Sequence, residues 1–469
     1  MQHSFRYFSY WRVKMQEEQD IHYGLAFDIG TTTIVGILVN LSDAAILKTE
    51  SMKNPTSLYG LDVISRITFA LKETGNLQKV TDKLIEGINL LIEKLLPQNS
   101  TTFMEQVVMV GNTTMMHFVL GMDVTPLAGA PFKPGYQGGL WKVASDFALN
   151  LPGEVKVYIP SCIDAHVGSD ALAAIIATDF AEKRGTEILI DIGTNGEIIG
   201  KDESGKLYAC STAAGPVFEG AGITYCMQAK EGAIEQVEIT MEGEVLLTCI
   251  EEEKTTEGQK KYPAGICGSG IISAISEMLR WNILDKSGAF LDKETRKKSK
   301  LPYALQRRIV LGEEGEEFVL SMENPTLLGL AASDFNLYNV CKKDKTQHYI
   351  SVTAKSIRKF QLAKGAIYAG IEILLREMDK EKQEITACYL AGTFGNHIDI
   401  NSGSICKIWP EEWQDKIVPV GNAAGTGAVR LLLSDACKLY SEKLAAEIKH
   451  VSLAERETFQ KLYIDAMNF

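Results

Sequence analysis

The 469-residue sequence predicts an α/β protein built from two duplicated lobes with a nucleotide cleft between them. Three observations carry that expectation. Residues 187–197 read EILIDIGTNGE, an apolar run into Asp191 followed by Gly-Thr-Asn-Gly and Glu197. A near-copy, LAFDIGTTT, stands at residues 25–33 and contains Asp28. The element order βββαβαβα that starts at the first stretch starts again at the second, an internal duplication at the level of the fold.

Each of the two stretches reads as a buried strand that turns on glycine and returns as a second strand. A turn of this kind bares backbone N–H groups and short hydroxyls, a concave donor set suited to phosphate oxygens. The aspartate at the strand end supplies a hard oxygen for Mg²⁺, through water. A β-hairpin with a helpful glycine explains either turn alone. Their recurrence at matching places makes phosphate binding the better reading.

Taken in order, residues 23–40 give strand, turn and strand, and residues 45–53 a third strand. Residues 62–96 carry two amphipathic helical segments broken near Gly75-Asn76, with Leu84, Ile88, Leu91, Ile92 and Leu95 at helical spacing. QVVMVGN at 106–112 is a short strand with a helix starting at Thr113, and the Pro- and Gly-rich residues 125–152 read as an ordered loop. Residues 155–161 form a strand. Residues 164–183 form a helix whose small residues, GSDALAAIIA, let another helix approach closely. The second round has strands at 187–193, 195–202 and 206–212, then the Gly-rich loop AAGPVFEGAG. GICGSG opens a helix through residues 271–281, and residues 352–378 form a long helix. Strands at 385–392 and 416–422 and a small-residue helix at 423–433 complete the order. Residues 1–21 read as an N-terminal arm, 22–185 as the first lobe and 186–469 as the second, interrupted by a charged insertion at about 284–350.

Hydrophobic residues make up 45% and charged residues 23% of the chain, ordinary proportions for a globular protein with a large core. A net charge of −12 argues against a nucleic-acid surface, which needs clustered Lys and Arg. No apolar run reaches membrane-spanning length, and the first twenty residues have no h-region, so a cytoplasmic location is expected, with Met15 an alternative initiator. The nine cysteines form no C-x-x-C pair, so no zinc knuckle or iron–sulfur cluster is encoded by spacing.

The candidate phosphate-binding residues are Gly30, Thr31 and Thr32 in the first turn and Gly193, Thr194, Asn195 and Gly196 in the second. Gly215 stands in the Gly-rich loop. Gly268 and Ser269 open a helix whose N-terminal N–H groups suit phosphate or ribose, and a Gly-rich turn is the plainer reading. YLAGTFGN, with Gly392, Thr393 and Gly395, follows a strand and places backbone against a flat base. Asp28 and Asp191 are the metal-binding and catalytic candidates. Glu219 and then Glu197 are the carboxylates placed to orient a hydrolytic water, since phosphoryl transfer is mostly positioning and charge stabilisation. Asp164 and Asp170 sit where a helix N-terminus itself favours an acid. His117, His166 and His397 read as structural.

Two DxGT turns on repeated units, with AGTFGN near the end, resemble the actin, sugar-kinase and heat-shock chaperone ATPase superfamily, which implies ribonuclease-H-like lobes. More narrowly, GNTTMMHFVLG, APFKPG, DIGTNGEI, AAGPVFEGA, GICGSG, QLAKGAI, AGTFGNHID and VGNAAGTGA resemble the ATPase part of the reductive activators of corrinoid-dependent enzymes. These motifs span residues 23–433. The resemblance implies ATP and Mg²⁺ as cofactors. It implies a corrinoid protein or cobalamin-dependent methyltransferase as partner, and an ATPase that returns cob(II)alamin to cob(I)alamin. Characterised members carry an iron–sulfur domain; with no cluster motif in this chain, either the electron comes from a separate donor such as a ferredoxin or reduction is not this protein's task. Thr393 stands where the adenosine motif has its second glycine. A small-molecule kinase of the same fold and a nucleotide-gated binding module without turnover remain alternatives, and a homodimer stays open.

Overall fold

The computed structural model describes residues 22–97, 103–251, 263–323, 348–392 and 398–469. Thr393, Gly395 and His397 of the AGTFGN stretch lie outside the described residues. By internal contacts the chain divides into two compact units. One comprises Met1–Thr178 with Ala424–Ala446, the other Asp179–Ala423 with Glu447–Phe469.

The first unit is built on a six-stranded sheet. Its strands are β1 (Tyr23–Ile29), β2 (Thr33–Asn40), β3 (Ile46–Lys53), β4 (Met104–Gly111), β5 (Leu140–Val143) and β6 (Lys156–Ile159), in the spatial order β3-β2-β1-β4-β6-β5. β1, β2 and β3 pair antiparallel, β4 and β6 continue parallel to β1, and β5 closes the edge antiparallel to β6. β1 is apolar along its length until Asp28 because it is central and covered on both faces. β3, with Lys48, Glu50 and Lys53, is an exposed, charged strand at the other edge. Leu25, Phe27 and Ile29 pack on one face with Leu84, Ile88 and Leu91 of helix Asn76–Leu95. Ala26, Val108 and Val110 pack on the other with Ala173 of helix Ser169–Ala177 and Ala428 and Leu431 of helix Ala423–Leu433. Alternation along β1 puts Asp28 on this second face, beside Ala26.

The second unit repeats the plan. Its strands are β7 (Glu187–Ile192), β8 (Gly196–Lys201), β9 (Leu207–Thr212), β10 (Ala233–Ile239), β11 (Val245–Cys249), β12 (Gly265–Ile266), β13 (Ile309–Gly312), β14 (Gly315–Met322), β15 (Tyr349–Thr353), β16 (Ala387–Ala391), β17 (Ile417–Gly421) and β18 (Lys449–His450). The main sheet runs β17-β16-β7-β8-β9-β18, with an antiparallel β7-β8-β9 meander and β16 and β17 parallel to β7. Two three-stranded sheets, β11-β10-β12 and β13-β14-β15, accompany it. A duplicated ribonuclease-H-like α/β fold, as the sequence predicts, is thus present, with one strand added at the edge of each main sheet.

Several expectations need correction. The helix expected over 164–183 is confined to Ser169–Ala177, because Ile163 and Asp164 both donate N–H bonds of 3.0 Å to the Val167 carbonyl, closing a turn before it. The loop expected at 125–152 contains the helical turn Thr125–Ala128, β5 and the 3-10 helix Ala144–Phe147. The segment read as an insertion carries β13 and β14, which lie outside the main sheet, and it contributes to the second unit's core. Leu301, Leu305, Ile309, Phe318 and Ile350 are buried in one cluster with Ile190 and Ile271. By internal contacts the first division falls between Thr178 and Asp179, close to the seam expected near residue 185, and residues 424–446 of the last helices are grouped with the first unit.

The small-residue helix does receive a close neighbour. A Cβ added at Gly427 would lie 1.9 Å from the Ala173 carbonyl oxygen, so the two helix backbones touch there. Arg430 of the same helix donates a 2.7 Å bond to the Ile176 carbonyl. Glu442 then takes bonds from the Tyr158 hydroxyl at 2.7 Å and the Ser161 N–H at 3.1 Å, besides the Gly139 N–H. Gly427→Ala is expected to destabilise the first unit by about 1–3 kcal/mol through forced separation of the helices. A thermal unfolding midpoint equal to that of the wild type refutes this packing.

His117 is buried and neutral. Its Nδ1 donates to the Thr113 carbonyl at 2.7 Å while Nε2 accepts the Gly135 N–H at 2.7 Å, pinning the Pro- and Gly-rich stretch. Burial depresses its pKa below the ordinary 6.5. The folded state therefore binds fewer protons than the unfolded chain in the interval between the two pKa values, and stability present above pH 6.5 is lost as pH falls through the folded pKa. His117→Gln, which accepts the same N–H without titrating, is expected to lose less stability than the wild type as pH falls below about 6.5. Parallel stability–pH curves for the two proteins contradict the assignment.

Candidate phosphate-binding site

The two turns occupy equivalent places in the two sheets. Asp28 stands opposite Val35 and next to Val110; Asp191 stands opposite Glu197 and next to Ala391. Both aspartates are half-buried. The turns differ in length: the first leaves four residues between the pair Ile29–Ile34, the second three between Ile192–Gly196.

In the first turn, Gly30 N–H closes on the Thr33 carbonyl at 3.0 Å. Asn112, which caps helix Thr113–Leu120, donates to the Thr31 hydroxyl at 2.9 Å. The Gly30 carbonyl accepts from the Asn54 side chain at 2.8 Å and the Thr31 carbonyl from the Arg66 guanidinium at 2.6 Å. Asn54, Arg66 and Asn112 are all buried, and none is singled out by the sequence analysis. One signal for Arg66 was available: it falls on the inward face of helix Val63–Lys72 with Ile67 and Ala70, where a charge requires a partner.

In the second turn, Gly193 N–H bonds the Asn195 carbonyl at 2.9 Å. The structure brings Glu219 to this turn, where its carboxylate accepts the Thr194 hydroxyl. Gly215 N–H donates to the Thr194 carbonyl at 2.7 Å, so the Gly-rich loop is tied to the turn at two points. That loop is in turn held by helix Ala354–Glu377. Phe218 lies edge-on to Phe360, centroids 5.7 Å apart, and Lys359 donates to the Gly222 carbonyl. Phe360 also stacks on Phe469 at 6.1 Å, which ties the end of the chain to the same helix.

Asp191, Glu197 and Ser211 form one row across β7, β8 and β9, their side chains on one face. Glu197 is buried and accepts the Ser211 hydroxyl at 3.2 Å. Gly392 ends β16 directly against Asp191: a Cβ there would lie 2.7 Å from the Ile192 carbonyl oxygen and 2.9 Å from Asp191 Oδ1. Gly196 is packed beneath Thr212 and Ile367, a position that explains its small size by packing. Gly268 and Ser269 form the first turn of helix Gly268–Arg280, where Ser269 Oγ lies 3.2 Å from Cys267 Sγ. Asp170 is the second residue of helix Ser169–Ala177 and accepts the Ala171 N–H at 2.8 Å; burial pushes its carboxyl up to about 6.

Two ribonuclease-H-like units, each with an aspartate and a glycine turn at the end of its central strand, define an actin-like, sugar-kinase-type α/β protein. The chain matches the model of the RACo middle region over residues 23–183 and that of the RACo C-terminal ASKHA domain over 185–333 and 318–469, and it belongs to the RACo family. A corrinoid activation enzyme, RamQ, of Eubacterium limosum is 30% identical over 458 residues, 96% of this chain and 71% of the relative. A Co(II) methylated amine-specific corrinoid protein reductase of Methanosarcina barkeri is 24% identical, covering 95% of this chain and 77% of its own. The solved structure of a reductive activator for corrinoid, iron–sulfur protein superposes with a TM-score of 0.81 at 30% identity over 96% of this chain, which spans 66% of that protein's length.

Gly392 has φ +102°, a backbone conformation strained for alanine, besides its contact with Asp191. Gly392→Ala is expected to destabilise the second unit by about 1–3 kcal/mol. At Gly193 the nearest atom to an added Cβ is the Asn195 oxygen at 3.5 Å, an ordinary contact, so Gly193→Ala should cost less. Equal urea midpoints for the two variants count against this view of β16 and Asp191.

Proposed function

We propose that this chain is a cytoplasmic Mg-ATPase that activates a corrinoid protein. It couples ATP binding and hydrolysis to the return of cob(II)alamin to cob(I)alamin, with one electron from a separate donor. The observation that carries the reading is the pair of matching aspartate turns, in a chain whose resemblance to corrinoid activators runs over nearly its whole length.

The phosphates of ATP are held by Thr31, Thr32, Thr194 and Asn195 with the turn glycines Gly30 and Gly193. The nucleoside is flanked by Gly392, Gly268 and Ser269. Each carboxylate, half-buried at its strand end, is a hard-oxygen ligand of the kind that suits hydrated Mg²⁺. Asp28 and Asp191 would hold that ion, which neutralises charge on the phosphate oxygens when bound. Glu219, already bonded to the Thr194 hydroxyl, orients the attacking water and senses the occupancy of the turn. Glu197, buried beside Asp191, fixes the carboxylate row rather than meeting water. Loss of the terminal phosphate then changes what Thr194 and Glu219 bond to, and the Gly-rich loop passes that change to helix Ala354–Glu377 through Phe218 and Lys359.

Nucleotide can favour reduction only by differential affinity for the two cobalt states of the partner. For a one-electron couple, each tenfold preference for the cob(I) form raises the potential by about 59 mV. The test is ATP turnover and the cobalt absorption spectrum, with a corrinoid protein and a reductant present. Asp191→Asn and Glu219→Gln are expected to lower turnover by about a hundredfold and to abolish the spectral change from cob(II) to cob(I). Wild-type protein that hydrolyses no ATP with any corrinoid partner defeats the reading. ATP turnover driven by a metabolite without a protein partner would make it a kinase.

A further inference from the structure

Arg66 lies in the first turns of helix Val63–Lys72 and is fully buried, at 0% exposure. Its guanidinium donates from Nε to the Gly60 carbonyl at 2.9 Å, from Nη1 to the Thr56 hydroxyl at 2.8 Å and the Met115 sulfur at 3.6 Å, and from Nη2 to the Thr31 carbonyl at 2.6 Å. The helix itself is fixed by the Asp62–Ser65 capping box. The Thr56 hydroxyl passes the connection on, donating to Asn54 Oδ1 at 2.6 Å, and Asn54 Nδ2 donates to the Gly30 carbonyl at 2.8 Å. One closed network therefore grips two consecutive carbonyls of the phosphate turn.

A trans peptide points its C=O and the following N–H in opposite directions within one plane. With the Gly30 and Thr31 carbonyls drawn into the network, the N–H bonds of Thr31 and Thr32 are directed away from it. Two successive N–H groups aimed the same way, backed by a guanidinium charge, form a concave site for an anion. The fork matters because its planar donors fix direction, which a lysine ammonium does not. We propose that Arg66 is a positioning residue for the first phosphate turn: it holds the Thr31 carbonyl inward so that the turn presents its amides to a nucleotide phosphate. Arg66 touches no nucleotide and acts through Thr31 and the Thr56–Asn54 bridge. This inference rests on the nucleotide reading above and names what makes one of its two turns competent.

The test uses Arg66→Met and Arg66→Lys in the full chain, with calorimetric titration by Mg-ATP and by adenosine, which lacks the phosphates. In R66M the affinity for Mg-ATP is expected to fall about tenfold or more, the scale of one lost charge-assisted bond, while adenosine binding stays within about twofold. R66K should fall between R66M and wild type. Folded R66M that binds Mg-ATP as the wild type does overturns the proposal. So does an equal loss for both ligands, the mark of general damage to the fold. Should R66M fail to fold, Thr56→Val decides the same question: it leaves Arg66 in place but removes the hydroxyl that aims it, and the same phosphate-dependent loss is expected. A wild-type chain that binds no Mg-ATP defeats the nucleotide reading itself; a wild type that binds with all variants unchanged defeats only the role of Arg66.

Discussion

The pairing register of two hairpins is the constraint from which the rest follows. Side chains alternate faces along a strand, so a slip of one residue would exchange every inward and outward position. In β1 such a slip would drive Asp28 into the cluster of Leu25, Phe27 and Ile29; in β7 it would drive Asp191 among Ile188, Ile190 and Ile192. At the far end of β7–β8 a buried ion pair helps hold the register. Lys201 stands directly opposite Glu187, at 3.1 Å, and also donates to the Phe180 and Lys183 carbonyls. A buried lysine left without those partners would be strongly unfavourable, and only one register supplies them. Mispairing is penalised at both ends of the hairpin.

Within that frame the two halves have diverged in a chemically directed way. The residue facing Asp28 is Val35, while the residue facing Asp191 is Glu197. The second turn is bonded by a carboxylate from a Gly-rich loop, and the first has its carbonyls gripped by a buried guanidinium. One half is braced by a buried guanidinium and the other is bonded to a Gly-rich loop. Such an asymmetry suits a protein in which one turn anchors a ligand and the other reports on it.

Much of this was legible in the sequence because it is local. A strand, an aspartate and a Gly-Thr turn are contiguous in the chain, and the βββαβαβα order needs only element types. The position of Gly392 against Asp191 follows from the parallel placement of β16 beside β7, which the duplicated order implies. What escaped is what tertiary contact decides. Arg66 and Asn54 act on a turn more than twenty residues earlier, and nothing near them marks them as polar framework. Residues 284–323 look charged and loop-like, yet Leu301, Leu305 and Phe318 are spaced widely enough to fill a core without showing a period. The helix at Ser169–Ala177 is shorter than its small-residue pattern suggests because hydrogen bonds to the Val167 carbonyl close a turn before it, and a separate 3-10 helix, Phe180–Glu182, follows it.

The return of residues 424–446 to the first unit has a consequence for biosynthesis. A ribosome releases residues 1–178, including helix Ser169–Ala177, long before it makes helix Ala423–Leu433, whose Ala428 and Leu431 pack with Ala26, Val108 and Ala173. Domains tend to fold as they emerge, but this one must wait through the synthesis of the whole intervening unit. During that interval the apolar groups that Ala428 and Leu431 later meet are left without that helix, so the nascent chain has a holding requirement that the finished protein no longer shows.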